Sequence, residues 1–225
     1  MEMDRDAIKR FLTSDITEVV DAGMRAMDQD RTHYHSIEHA ETMLQDLNDA
    51  VKDPGNYIYF QTLKREEMTQ LMIAIAWHDV VYIPGGKFNE RASAIKFEKY
   101  HKENNLPFDP EPITELIKST EIGTSREYLL NNRVRALLHD LDYLSFSNKD
   151  RMINDRQKLR DEFYFLTDEE YALDRWYFLS KLAKKTHESG LYLTPIYVAY
   201  NVKTLINLAS EIEYYRERSK PNYLL

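Results

Sequence analysis

The chain has 225 residues, with 38 acidic and 30 basic side chains and a formal charge of −8. That balance supplies no broad basic face, so the sequence argues against general nucleic-acid binding. Cysteine is absent, which excludes disulfides and thiolate metal sites and leaves His, Asp and Glu as the available donors. Gly is scarce at 6 residues, and there is no Gly-rich loop to cradle a dinucleotide or a triphosphate.

The length suits one domain with a full core. The expectation is a single helical domain over 1–225, with its core at about 31–145 and C-terminal helices at 149–215 packed on it. The opening Met1-Glu2-Met3-Asp4-Arg5-Asp6 is charged and has no apolar secretory segment. No run reaches the length of a membrane span, so a cytoplasmic protein without a membrane partner is expected.

Between Asp4 and Met27, Ile8, Phe11, Ile16, Val19, Val20 and Met24 recur at three- and four-residue spacings. They predict one or two amphipathic helices, with breaks near Ser14 and Gly23. A loop follows, then a helix starting at Ser36 that turns Met43, Leu44 and Leu47 inward and stops before Asp53-Pro54-Gly55. His35 stands at its mouth and His39 one turn inside, on the same side. Residues 56–59 read as loop.

From Lys64 to Tyr82 the sequence predicts a central helix that stops at Pro84-Gly85-Gly86. Leu71, Met72, Ile73, Ala74, Ile75 and Ala76 leave it almost no polar side, so it belongs in the middle of the protein. It ends in Trp77-His78-Asp79. An unpaired buried carboxylate there would cost several kcal/mol, and a divalent cation would neutralise it while using the imidazole as well.

Phe88-Asn89-Glu90-Arg91 opens the next amphipathic helix, carrying Ala94, Ile95, Phe97 and Tyr100. Another begins at Ile113 and ends near Gly123. Val134, Leu137, Leu138 and Leu141 mark a helix that brings His139-Asp140-Leu141-Asp142 to the core. Charged amphipathic helices follow over 149–166, with Ile153 and Phe165 on the apolar side, and 168–186, with Leu173 on that side. Residues 191–195 read as extended. A final helix over about 197–215 is expected to pack Val198, Val202, Leu205, Ile206, Leu208 and Ile212. No strand alternation is long enough for a sheet, so the fold class is all-α, a multi-helix bundle with a site between helices.

The candidate donors fall in the order His39, then His78-Asp79, then Asp142. That H…HD…D order resembles the HD-domain superfamily of metal-dependent phosphohydrolases. Tyr34-His35-Ser36-Ile37-Glu38-His39 is similar to the Y-H-N-x-x-H opening of its short predicted hydrolase branch. Trp77-His78-Asp79-Val80-Val81-Tyr82 and Asn89-Glu90-Arg91-Ala92-Ser93 are similar to that branch's W-F-H-D-x-V-Y and N-E-x-x-S, and Asp140-Leu141-Asp142 stands where it has D-x-D.

The resemblance implies metal ligands His39, His78, Asp79 and Asp142, with Asp140 the alternative to Asp142. It implies one divalent ion (Mn, Co, Ni, Fe, Zn or Mg), because the histidine that often follows the branch's apolar-x-x-Thr segment is missing after Ile117-Lys118-Ser119-Thr120. Asp79 would also orient the attacking water, Glu90 would handle a proton and His35 would meet the phosphate or the leaving group. The implied activity is hydrolysis of a phosphomonoester or phosphoanhydride of a small molecule, with a nucleotide as the expected substrate. The alternative is a non-catalytic metal- or nucleotide-binding regulatory module on the same fold. Lys87, Arg91 and Lys118 are further candidates for a substrate phosphate or, equally, ordinary surface charges. A homo-oligomer is left open.

Overall fold

The computed structural model describes residues 13–27 and 33–219. Its described residues contain helices and no strand. The eleven helices are α1 (Ser14–Ala26), α2 (Ile37–Lys52), α3 (Tyr57–Gln61), α4 (Arg65–Trp77), α5 (Asn89–Glu103), α6 (Glu111–Ser119), α7 (Arg126–Leu130), α8 (Arg133–Asp142), α9 (Lys149–Glu162), α10 (Asp168–Ser189) and α11 (Asn201–Arg218). The chain divides into two compact units, Met1–Asp142 and Tyr143–Leu225. No helix among the described residues is long and apolar enough to cross a membrane.

In the first unit α4 is the hub. Every residue from Leu71 to Trp77 is buried, as an apolar run without a polar side requires. Helices α1, α2, α5, α6 and α8 pack around it. The predicted inward residues Met43, Leu44 and Leu47 of α2 and Val134, Leu137, Leu138 and Leu141 of α8 are buried.

Helix α1 begins at Thr13, whose side chain accepts a hydrogen bond from the Ile16 amide, and the part of the expected helix before residue 13 lies outside the described residues. Gly23 does not break α1. It lets α1 approach α4: a Cβ there would lie 2.5 Å from Ala76 O and 2.6 Å from Trp77 Cδ1. Trp77 Nε1 donates to Val19 O at 2.9 Å across the same contact.

Three other local expectations change. Residues 54–56 form a single 3-10 turn and 57–61 form α3, with Pro54 opening the segment and the Asp53 side chain accepting from the Gly55 amide. Helix α7, begun by the Ser125 side chain on the Tyr128 amide, was not anticipated. Helix α4 ends at Trp77, five residues before the expected stop at Tyr82.

In the second unit α10 and α11 lie along each other, and Gly190 closes α10 with φ of 75°. The Asn201 side chain accepts from the Leu191 and Tyr192 amides and holds the non-helical 191–195 segment. Of the expected inward residues Leu208 is buried, but Val202 and Ile206 of α11 and Val198 in the turn before it are exposed, and Thr204, Asn207, Glu211 and Tyr215 are buried instead. Hydrogen bonding sets the rotation. Thr204 meets Tyr192 Oη, Asn207 Nδ2 donates to Phe146 O at 3.0 Å, and Arg156 makes a two-toothed pair with Glu211. Ile153, Phe165 and Leu173, also expected inside, are exposed.

The Gly23 contact yields a direct test. Gly23→Ala adds one methyl where backbone and indole leave no room, so it should destabilise the fold by about 1–3 kcal/mol in chemical denaturation. Alanine's better helix propensity would instead raise stability if the contact were loose.

Candidate metal centre

Three helices deliver the centre. His39 stands one turn into α2, His78 caps the C-terminal end of α4, and Asp142 is the last residue of α8. One donor atom from each lies within 4.8 Å of the other two. His39 Nε2 is 3.2 Å from Asp142 Oδ1, and His78 Nε2 is 3.9 Å from the same oxygen.

The protonation geometry of His78 makes this cluster suited to a cation. Its Nδ1 lies 2.8 Å from the Ile75 carbonyl oxygen, which only accepts, so Nδ1 carries hydrogen and donates. Neutral imidazole then keeps its lone pair on Nε2. That nitrogen is buried without a well-formed hydrogen bond, and Asp79 Oδ2 lies 3.1 Å away. A lone pair facing carboxylate oxygens is repulsive unless a proton or a metal ion stands between them. Two imidazoles and a carboxylate are the donor set that Mn, Fe, Co, Ni and Zn accept, so these residues fit a divalent ion.

Without an ion, protonation of His78 answers the same need. Burial disfavours the charged form of His78, yet the Asp79 carboxylate, and behind it Asp142, raise its pKa to about 9. Burial likewise opposes ionisation of Asp79, but the His78 charge and its contact outweigh it and hold the carboxyl below the usual range. Asp142 is also held down: the hydrogen bond from His39 and the charge on His78 overcome burial. In the absence of a metal ion, a proton does part of the neutralising.

Of the four expected ligands, His39, His78 and Asp142 form the cluster, and Asp79 sits beside it against His78. The alternative Asp140 is fully buried, and its charge acts on Tyr59 of α3. Two residues apart on α8, the two carboxylates leave the helix about 200° apart, so only one can turn toward the imidazoles. Glu90, in the first turn of α5, has its pKa raised by burial and then by the charges of Asp79, Glu121 and Asp142. His35 stacks on Tyr82 with ring centroids 3.6 Å apart and an interplanar angle of 16°, and its centroid is 6.2 Å from that of His39.

A clamp from α5 explains the early end of α4 and the placement of Asp79. Ser93 Oγ accepts from the Val81 amide at 3.1 Å and reaches Val81 O at 3.3 Å. The Asn89 side-chain amide pairs with both backbone groups of Ile83 at 3.0 Å, and Lys96 Nζ donates to Val80 O at 3.2 Å. Val80, Val81 and Ile83 thus have backbone groups taken up by side chains of α5 instead of by a continued α4, and Pro84 disfavours helical geometry at Ile83. The sequence pointed to Glu90 within Asn89-Glu90-Arg91-Ala92-Ser93 but not to this role of its first and last members. Their i, i+4 spacing on a helix facing the doublet was the available signal.

Compared with known proteins, the chain matches no family model, no curated protein and no solved structure.

Ser93→Ala removes the hydroxyl that satisfies the Val81 amide. It should cost about 1–2 kcal/mol in denaturant melts and weaken Mn(II) binding by calorimetry roughly tenfold or more, as loss of a ligand-orienting group does. Unchanged stability together with unchanged ion affinity would show that the clamp holds nothing of consequence.

Proposed function

We propose that the protein is a divalent-metal-dependent phosphohydrolase of small phosphorylated molecules, nucleotides foremost, in the manner of the HD-domain superfamily. The supporting observation is the meeting of His39, His78 and Asp142 from three helices around an imidazole nitrogen without a well-formed hydrogen bond, with the Asp79 carboxylate alongside. In this reading His39, His78 and Asp142 hold one divalent ion, and Asp79 completes the set.

An ion so held supplies Lewis-acid polarisation of a phosphoryl oxygen and a water of lowered pKa. The chain's own groups provide the rest. Asp79, 3.1 Å from His78, would orient the attacking water with the oxygen that it does not give to the ion and take up its proton. Glu90, whose carboxyl is held toward its protonated form by burial and neighbouring carboxylates, stores or returns a proton. His35, fixed flat against Tyr82, meets the phosphate or the departing oxygen. Phosphoryl transfer asks mainly for positioning and charge, and these residues supply both. A cytoplasmic setting belongs to the same proposal.

The test combines metal analysis of the purified protein with phosphate release from nucleoside mono-, di- and triphosphates in Mn, Co, Ni or Mg. One ion per chain is expected, with turnover that falls at least about 100-fold in Asp79→Ala while the thermal melt of the metal-free protein is preserved. Turnover unchanged in both His39→Ala and Asp79→Ala would overturn the proposal. Ion binding without turnover of any phosphoester would favour the regulatory module instead.

A further inference from the structure

The second unit presents an apolar face that its own helices do not cover. Helices α10 and α11 run antiparallel: the Tyr171 ring near the start of α10 meets the Tyr215 ring near the end of α11, with centroids 5.9 Å apart. Side chains of α9 lie against one side of this pair. Arg156 bonds to Glu211 and rests 3.7 Å from the centroid of the Tyr214 ring, and Arg160 sits over Tyr171 at 5.3 Å.

Helical spacing then says what stands on the side away from α9. On α10 it is Leu173, Trp176, Ser180 and Ala183, and on α11 it is Val202 and Ile206. None of these six is charged. Leu173 is 42% exposed, Val202 68% and Ile206 67%, and Trp176 is half-buried. Large apolar side chains gathered on one helical face, in place of the usual charged ones, mark a surface that meets another molecule.

The spacing along α10 fits a second copy of the chain. Large Leu173 and Trp176 and small Ser180 and Ala183 are placed evenly about Phe178. A copy running antiparallel across a two-fold axis sets Leu173 on Ala183 and Trp176 on Ser180, bulk into hollow in both directions, as a self-complementary contact requires. The area is of the right order too. Helices of 22 and 18 residues, about 33 and 27 Å long and near 10 Å wide, offer a shared footprint of roughly 500 Å² per copy. Side-chain relief makes the accessible area larger than the footprint, toward the roughly 800 Å² per partner of a stable interface.

We propose that the protein forms a two-fold symmetric dimer in which the α10–α11 faces of two copies pack together as a four-helix bundle. The inference is independent of the phosphohydrolase reading and involves no residue of the metal centre.

Sedimentation of the full chain over about 1–100 μM provides the test. The mass should rise to twice that of one chain, and Trp176 emission should shift to the blue over the same range, Trp77 being buried already. Leu173→Glu and Ile206→Glu each put a carboxylate into the contact and should each weaken association about tenfold or more. Both side chains face solvent in the single chain, so the circular dichroism melt of these variants at the lowest concentration should match that of the parent. Ile58→Glu, on the exposed Ile58 of α3, should leave the dimer intact. A monomer throughout the range, a dimer that survives Leu173→Glu combined with Ile206→Glu, or one dispersed by Ile58→Glu would overturn the assignment. So would a monomer that binds phosphatidylglycerol vesicles and loses that binding in Ile206→Glu, which would give the face to a lipid surface instead.

Discussion

Asp79 and Asp142 bring two negative charges to the end of a helix that is apolar on every side, and the architecture around them answers that problem. Asp79 is buried and Asp142 only partly exposed, so much of the compensation has to come from His78 and His39 and from whatever positive species joins them. The Ile75 carbonyl fixes the His78 tautomer, and the tautomer turns Nε2 toward the carboxylates. One backbone hydrogen bond thereby leaves a buried histidine with a ring nitrogen placed where it could hold a cation.

Helix α5 serves two purposes on two faces. Asn89, Ser93 and Lys96 hold the backbone of residues 80–83, and through it the direction in which Asp79 leaves the chain. Arg91, Ile95 and Glu98, rotated about 200° from that set, line an open cleft with Lys118, Glu121 and Tyr128. A helix with work on opposite sides cannot be simply amphipathic, and the exposed Ile95 and buried Asn89 and Ser93 of α5 reflect that division.

Much of this was legible before any coordinates. The unbroken apolar run 71–77 announced a buried central helix, and donor residues on three separated segments announced a site between helices, with His39, His78 and Asp142 singled out by the family resemblance. What stayed hidden was decided by side-chain hydrogen bonds to backbone. The pattern could not show that Asn89 and Ser93 would draw residues 80–83 out of α4, nor that Thr204, Asn207 and Glu211 would find partners and so turn Val202 and Ile206 outward. Gly23 misled for a related reason: a residue without a side chain reads as a weak point in a helix, whereas here its smallness is what the neighbouring backbone requires.

The donors of the centre are far apart in the chain: His39 and Asp142 are 103 residues from one another. During synthesis on the ribosome, no ion can find this pocket until α8 has emerged and docked. A bound cation would therefore act as a latch on the completed first unit, and a chain stalled before residue 142 would have nothing for it to fasten.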